Sequence, residues 1–350
     1  MQLSAAQASG ATLVHRKQCR AASQRIAPRA LPDAHIESQE SASRRALLLA
    51  GGAVAASPLM IVRPSRAATR LLPVENLSSF QRQDQRLEMQ LRAQSALQEV
   101  LTASDAPAAV RLALHEAATY DIATKTGGFD GSIALNAEEL ARPENAGLAD
   151  IVAKVGRARD AVNGSNPNNT DALTWADAIF MAGRVATQLS WYEIKLGRAQ
   201  TSSGGKLIAT AFKNPWPVDL GRIDSTEAGP GRLPPLDADV ATIRKFMLAL
   251  GAKPGAGANP FSPKAPFWER PAFLLWTASA PDPEAEEQRF AEAFPDPFKD
   301  IKRSFDISRR TVTRTDYEVD FAAAYNKLCG LGAKINPTAY LYPVPIQIVI

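Results

Sequence analysis

A run of prolines and glycines places the strongest limit on how this 350-residue chain can fold. Five prolines and two glycines lie between Pro254 and Pro271. Proline removes a backbone hydrogen-bond donor and clashes with the preceding turn, so an α-helix cannot cross this segment. Any helical architecture must therefore be interrupted here.

Apolar residues recur at helical spacing on both sides of this interruption, which predicts amphipathic helices. The predicted helices run over about residues 78–102, 108–123, 143–162, 171–194, 236–250 and 316–329. One short strand is predicted at Lys206–Phe212, and the apolar tail 336–350 should be extended because Pro343 and Pro345 interrupt it. We predict one all-α, mostly helical domain over residues 68–350.

Residues 1–40 have the composition of a chloroplast transit peptide. The stretch from Met1 to Leu31 has no acidic residue, and its basic residues stand among Ser, Ala and Gln: Arg16, Lys17, Arg20, Arg25 and Arg29. Organelle transit peptides share this bias.

Residues 41–67 predict a second leader, a twin-arginine signal for the thylakoid. Arg44 and Arg45 precede a 17-residue apolar run, Ala46–Val62, and small residues then predict cleavage near Ala67. The alternative is an uncleaved anchor, but the run contains Pro58 and is shorter than the ~20 apolar residues of a membrane span. We therefore expect a mature chain without a transmembrane segment in the chloroplast thylakoid lumen.

The net charge of +4 belongs to the leaders and not to the domain. Nine of the 40 Lys and Arg and three of the 36 Asp and Glu lie in residues 1–67, which leaves 31 basic and 33 acidic residues. A domain with this balance lacks the basic field that nucleic-acid binding requires. We expect no nucleic-acid partner.

The numbers of histidines and cysteines restrict which catalytic mechanisms and metal sites the mature chain can have. His15 and His35 lie in the transit segment, so His115 stands alone in the mature chain, as does Cys329. Mechanisms that need two histidines are excluded, together with most zinc sites and many haem sites.

The predicted helix RLALHEAATYD, 111–121, carries the one constellation suited to catalysis. Arg111, Leu114 and His115 share a face because they are spaced at i, i+3 and i+4. A neutral imidazole can take a proton from a peroxide while a guanidinium stabilises charge on the departing oxygen. The alternative is a solvated helix face.

Further segments support the catalytic interpretation because they occur together and in order. They are TGGFDGSI, AEELARPENAGLADIV, LTWADAIFMAG, LGR, GPGRLPP and, near the C-terminus, DFAAAYNKLCGLGA. In this arrangement the chain resembles the class I plant-type haem peroxidases, most closely ascorbate peroxidase. The resemblance implies a plant-type haem peroxidase-like fold.

The resemblance also implies roles for individual residues. Arg111 and His115 take the places of the distal arginine and histidine, and Asn145 that of the asparagine that fixes the histidine's tautomer. Glu139 matches a position next to this network. Leu114 replaces a tryptophan that faces the haem in ascorbate peroxidases.

The proximal half departs from the family pattern. The family binds iron through a histidine on a helix that follows the GRLP segment, whereas this chain has no histidine after Leu250. We predict that the Pro-rich segment replaces the proximal helix and that the chain between Pro254 and Pro281 fills the haem space. Trp276 lies in a loose match to the family's tryptophan motif. Ala103 and Asp105 stand where ascorbate peroxidases have lysine and cysteine.

The sequence therefore predicts a lumenal pseudo-peroxidase with neither haem nor metal. An auxiliary role beside photosystem II or another thylakoid membrane complex is what the resemblance alone implies. The alternative is an active haem b peroxidase, in which Cys329, Tyr317 or Tyr325 would have to bind the iron. A third reading is a protein that binds a small ligand in the former haem cavity. The tail 336–350 either docks on a partner or packs on its own domain, and we expect the second.

Overall fold

The structure, a computed structural model, describes residues 68–199, 203–213, 216, 218–250 and 272–348. Contacts divide the chain between Arg63 and Pro64, and every described residue belongs to the second unit. Both predicted leaders and the segment 254–271 lie outside the described residues.

The first two long helices begin at start signals that the sequence supplies, a side-chain cap for α1 and a first-turn proline for α2. Helix α1, Ser79–Val100, starts at Ser78, whose hydroxyl accepts a hydrogen bond from the Gln81 amide in a capping box. Helix α2, Ala106–Ala118, has Pro107 in its first turn and ends at Thr119. The sequence predicts that this helix continues to residue 123. Instead, the chain turns after Thr119, and an antiparallel β-bridge joins Asp121 to Thr126.

The remaining elements complete a mostly helical domain, as predicted. They are α3 Ser132–Leu135, α4 Ala137–Leu140, α5 Ala149–Gly164, α6 Trp175–Arg198, α7 Ser203–Thr210, α8 Val240–Ala249, α9 Thr277–Ser279, α10 Pro283–Ala293, α11 Pro295–Arg310 and α12 Asp316–Leu328. A π-helical turn, Ala272–Trp276, leads into α9. Helices α6 and α8 begin about four residues later than predicted, where Thr174 and Asp239 cap them.

Two predicted elements are wrong. The helix expected over 143–162 is broken, because Gly147 has a φ of +84° and separates a 3-10 turn, Pro143–Asn145, from α5. The strand expected at Lys206–Phe212 is instead the end of α7 followed by a 3-10 turn. Gly205, Ala209 and Phe212 are buried at i, i+4 and i+7, so packing against α6 selects the helical period.

The core lies where α2 packs against α6. Residues Ala109–Ala118 of α2 and Ala176–Ala186 of α6 are almost entirely buried. Beside them Trp191, Trp216, Phe321 and Tyr325 form an aromatic cluster with ring centroids 5.3–6.2 Å apart. Such edge and stacked contacts add to the free energy of apolar burial.

The C-terminal tail packs on its own domain, as expected. Ala339, Tyr340 and Leu341 are buried. Strand β2, Val344–Ile348, then pairs antiparallel with strand β1, Ala68–Leu72. The prediction of an extended tail is confirmed for residues 341–348, which follow a turn at 337–340, whereas β1 and the helices α10 and α11 were not predicted.

Candidate functional site

Helix α2 brings the three predicted residues together in the interior. Arg111, Leu114 and His115 are 4%, 0% and 1% exposed. A solvated helix face is therefore wrong for this constellation. Leu114 packs within the hydrophobic core.

The ring of His115 is held by a carboxylate. Its Nε2 lies 2.8 Å from Oε1 of Glu139, which is fully buried. Glu139 also accepts hydrogen bonds from the Ser132 hydroxyl at 3.3 Å and the Gly229 amide at 3.0 Å. If the Glu139 carboxylate is ionised it can only accept, and the tautomer that matches it carries the proton on Nε2.

Asn145 does not pair with His115 as the resemblance implied. Its Nδ2 donates to the backbone oxygen of Glu139 at 2.7 Å, so it positions the residue that holds the histidine. In the described part of the chain, neither Asn145 Oδ1 nor His115 Nδ1 has a hydrogen-bond partner. The pattern could place these residues near one another but could not choose between the two ring nitrogens.

Arg111 is buried, and its Nη1 has no hydrogen-bond partner in the described part of the chain. Its Nη2 donates to the Pro234 carbonyl at 2.6 Å, and its guanidinium carbon lies 5.1 Å from the centroid of the Trp276 ring. Burial lowers the pKa of Arg111 to about 10, and the nearby Glu144 opposes this shift. The contact with Trp276 is a buried cation–π interaction.

Trp276 is the partner that the sequence did not identify. It is fully buried, and its Nε1 donates to Oε1 of Glu286 at 2.7 Å. Leu274 and Leu275, just before it, are also buried. Part of the segment predicted to enter the haem space, residues 272–281, thus lies directly against α2; the rest lies outside the described residues.

Glu116, next to His115 in sequence, is a second buried acid that sequence reasoning missed. It accepts hydrogen bonds from the amides of Gly131 at 2.6 Å and Asp130 at 3.1 Å, and so ties the turn before α3 to α2. Burial raises the pKa of Glu116 to about 8, against the opposing effect of these hydrogen bonds. Its only sequence signal is its place one residue after the histidine.

A third buried cluster joins α6 to the C-terminal tail. Asp177 accepts hydrogen bonds from the Gly221 amide at 2.6 Å, the Tyr340 hydroxyl at 2.7 Å and Arg222 Nη1 at 2.9 Å. Arg222 also donates to the carbonyl of Cys329 at 3.0 Å. This cluster is structural, because every donor is an amide or side chain of the domain itself.

The residues considered as alternative iron ligands are buried, and burial disfavours their anionic forms. Burial raises the pKa of the Cys329 thiol to about 12, while a thiolate is the form that binds metal. Burial also raises the pKa values of Tyr317 and Tyr325 well above the usual range. The described residues contain no group of three or more His, Cys, Asp and Glu side chains that could hold a metal ion.

Comparison with known proteins assigns the family. The family model described as Peroxidase matches residues 89–254, which include α2 and Glu139. The thylakoid lumenal 29 kDa protein of Arabidopsis thaliana is 33% identical over 274 residues, which cover 74% of this chain and 72% of that protein. The chain belongs to the peroxidase family.

A solved structure and a second relative agree with this family assignment. The crystal structure of the TL29 protein from Arabidopsis thaliana matches with a TM-score of 0.61 at 30% identity, covering 74% of this chain and 99% of that one. The putative L-ascorbate peroxidase 6 of Arabidopsis thaliana is 34% identical over 143 residues, covering 41% of this chain and 35% of that protein. The motif-based resemblance to ascorbate peroxidases is confirmed, and the likeness to a thylakoid lumenal protein spans more of the chain.

Proposed function

We propose that this chain is a thylakoid lumenal protein that uses the peroxidase fold without haem or peroxidase activity, as an auxiliary of photosystem II. The contact between Arg111 and Trp276 is the observation that carries the first half of the proposal. The lumenal location is supported by the predicted leaders and by the name of the relative that matches most of the chain.

The residues around Arg111 do not fit a haem. A planar group between the guanidinium and the Trp276 ring would need roughly 7 Å, twice the ordinary contact separation of 3.5–4.0 Å. The guanidinium carbon lies only 5.1 Å from the centroid of the Trp276 ring. Trp276 is also anchored by its hydrogen bond to Glu286, which resists its displacement.

The hydrogen bonding and burial of His115 also argue against peroxidase activity. A general base needs a free lone pair directed at the proton it takes. Here Nε2 is paired with Glu139, and the unpartnered Nδ1 belongs to a ring that is only 1% exposed, so no lone pair is open to a peroxide. His115 thus serves as a hydrogen-bonded member of the core that joins α2 to the segment around Gly229.

A haem b peroxidase remains the second candidate, because Arg111 and His115 still share one face of α2. The family model, however, ends at residue 254, where the Pro-rich segment begins. The half of the site that would bind iron lies beyond that point in the family pattern.

Haemin titration of the mature chain, residues 68–350, tests the proposal. We expect no stoichiometric Soret band of ligated iron and no turnover of hydrogen peroxide with ascorbate, because Trp276 occupies the space against Arg111. An ascorbate peroxidase reconstituted from its apoprotein is the positive control.

The variant His115→Ala separates the two candidates further. Weak, nonspecific haemin absorbance should be the same in this variant and in the wild type. A one-to-one Soret spectrum of ligated iron, together with peroxide turnover that the variant abolishes, would establish the haem enzyme instead.

The proposal that photosystem II is the partner rests on the predicted lumenal location and on the family resemblance. A membrane-binding experiment tests it separately. We expect the mature chain to sediment with membranes enriched in photosystem II and to be retained several-fold less by thylakoid membranes depleted of it. Equal retention by both preparations would rule out photosystem II as the partner.

A further inference from the structure

Helix α7 presents apolar side chains to solvent as well as to the core. Gly205, Ala209 and Phe212, on α7 and the 3-10 turn that follows it, are buried against α6. On the opposite side Leu207 is 73% and Ile208 is 44% exposed, and no other described leucine is as exposed as Leu207. Scattered apolar side chains are normal on a protein surface, so this pair gains meaning only from the charges near it.

Five exposed cations lie on α7 and on the segments next to it. None of them forms an ion pair with a carboxylate in the described part of the chain. Their positive charge is therefore available to a partner. Together with Leu207 and Ile208 they form what we call the basic surface: Arg198, Lys206, Lys213, Arg310 and Arg314.

Direct contacts bring the parts of the basic surface together. Arg198 Nε, at the end of α6, donates to the Arg309 carbonyl in the last turn of α11 at 2.9 Å. The Arg314 guanidinium carbon lies 6.0 Å from the centroid of the Phe212 ring, and Lys213 follows Phe212 directly. The ends of α6 and α11 and the turn after α7 thus meet in one region.

This region keeps an excess of positive charge. Its buried cation, Lys195, is neutralised by Glu318 at 2.8 Å and does not contribute to the excess. Over residues 193–198, 206–213 and 310–316 the acids are Glu193 and Asp316, both exposed. Five exposed cations therefore face two exposed carboxylates, which favours an anionic partner.

The exposed leucine and isoleucine favour a lipid surface over an acidic protein. A helix that lies on an anionic bilayer inserts apolar side chains at the headgroup level, while its Lys and Arg side chains pair with lipid phosphates. Leu207 and Ile208 stand beside Lys206 on one short helix, which is this arrangement. The cations alone would serve an acidic protein equally well.

We propose that the basic surface docks on an anionic lipid bilayer. Leu207 and Ile208 enter the headgroup layer, and the five cations contact the phosphates around them. The docking involves neither Arg111 nor His115, and it requires no protein partner. It goes beyond the proposed function, and it does not depend on whether the chain binds haem or photosystem II.

Co-sedimentation with lipid vesicles tests the proposal on the mature chain, residues 68–350. We expect binding to vesicles of phosphatidylcholine mixed with an equal amount of phosphatidylglycerol, and little binding to phosphatidylcholine alone. Raising the salt to about 0.5 M should release the chain, because charges more than a few ångströms apart are then screened.

Two outcomes of this experiment would overturn the proposal. One is equal binding to both kinds of vesicle, which would remove the role of lipid charge. The other is retention on immobilised polyglutamate without binding to either vesicle, which would identify an acidic protein as the partner. The vesicles contain no protein, so neither outcome bears on photosystem II.

A charge variant tests the location of the docking surface. Each cation near an anionic bilayer contributes about fivefold to binding, so Lys213→Gln/Arg314→Gln should bind the mixed vesicles roughly 30-fold more weakly. Arg157→Gln/Lys245→Gln is the matched control, because these cations on α5 and α8 are also exposed and also lack a printed charge partner among the described residues. Equal loss in both double variants would show that only the net charge matters and would refute the site.

A second variant tests the apolar part of the surface. Leu207→Ser should weaken vesicle binding about tenfold, because the leucine side chain no longer leaves water for the headgroup layer. Leu91→Ser on α1 is the control, since Leu91 is 53% exposed and lies outside the basic surface. Leu207 carries little of the fold because of its exposure, so thermal unfolding should be unchanged. Unweakened binding in Leu207→Ser would contradict insertion of α7.

Discussion

Replacing Asp177 by alanine is expected to lower the free energy of unfolding by about 3–5 kcal/mol, the usual cost of removing one partner from a buried ion pair. Asp177 is fully buried, and Arg222, which it neutralises, is 5% exposed. The substitution leaves that cation without its carboxylate and also strands the Gly221 amide and the Tyr340 hydroxyl. Urea-induced unfolding of the mature chain measures the loss.

Asp171→Ala is the matched control for this experiment. Asp171 is exposed just before α6, so its replacement should change the stability by no more than about 0.5 kcal/mol. Asp177→Asn should fall between the two, because it keeps acceptors but loses the charge. A loss below about 1 kcal/mol for Asp177→Ala would contradict a structural role for the ion pair, since even one buried hydrogen bond contributes that much.

The second large loss of stability is expected when Gly183 in α6 is replaced by alanine. A Cβ added there would lie 2.1 Å from the Tyr325 hydroxyl and 3.2 Å from the Ala109 carbonyl. Tyr325 cannot easily retreat, because its ring is stacked between Phe180 and Phe321 and its hydroxyl donates to the Phe180 carbonyl at 2.9 Å. Overpacking and the lost hydrogen bond outweigh the better helix propensity of alanine, so Gly183→Ala should cost about 3 kcal/mol.

Gly197 provides a control on the same helix. It is exposed, and a Cβ there meets no atom within 4 Å, so Gly197→Ala should stabilise the domain by up to about 1 kcal/mol. Opposite signs for the two substitutions are the expected result of thermal unfolding. The double variant Gly183→Ala/Tyr325→Phe should recover part of the loss, and no recovery would show that the hydroxyl is not the obstacle.

The helices were predictable because each one carries its own periodicity and caps. Ser78, for example, caps α1 through a bond to Gln81, three residues away. Helix α10 was missed although Asp282 and Pro283 form a typical helix start. The strand prediction at Lys206–Phe212 failed because a short apolar run does not reveal its period until its packing partner is known.

The site was predictable only in part, because its contacts join distant segments. The spacing of Arg111 and His115 fixed their common face, and the family resemblance brought Glu139 and Asn145 near them. It could not reveal that Glu139 holds His115 Nε2, since that choice also depends on Gly229, 90 residues away. Nor could it reveal the cation–π contact between Arg111 and Trp276, because Trp276 follows the segment where the family pattern stops.

The pairing of β1 with β2 affects how the domain completes its fold. Residues 68–72 find their partners only at residues 344–348, so this small sheet is the longest-range contact that the domain must close. The strands cannot meet until residues 344–348 have been synthesised, and neighbouring strands lie only about 4.8 Å apart. The two ends of the domain thus emerge side by side, which makes it a natural candidate for circular permutation, in which a short linker joins the old ends and new ends are opened elsewhere.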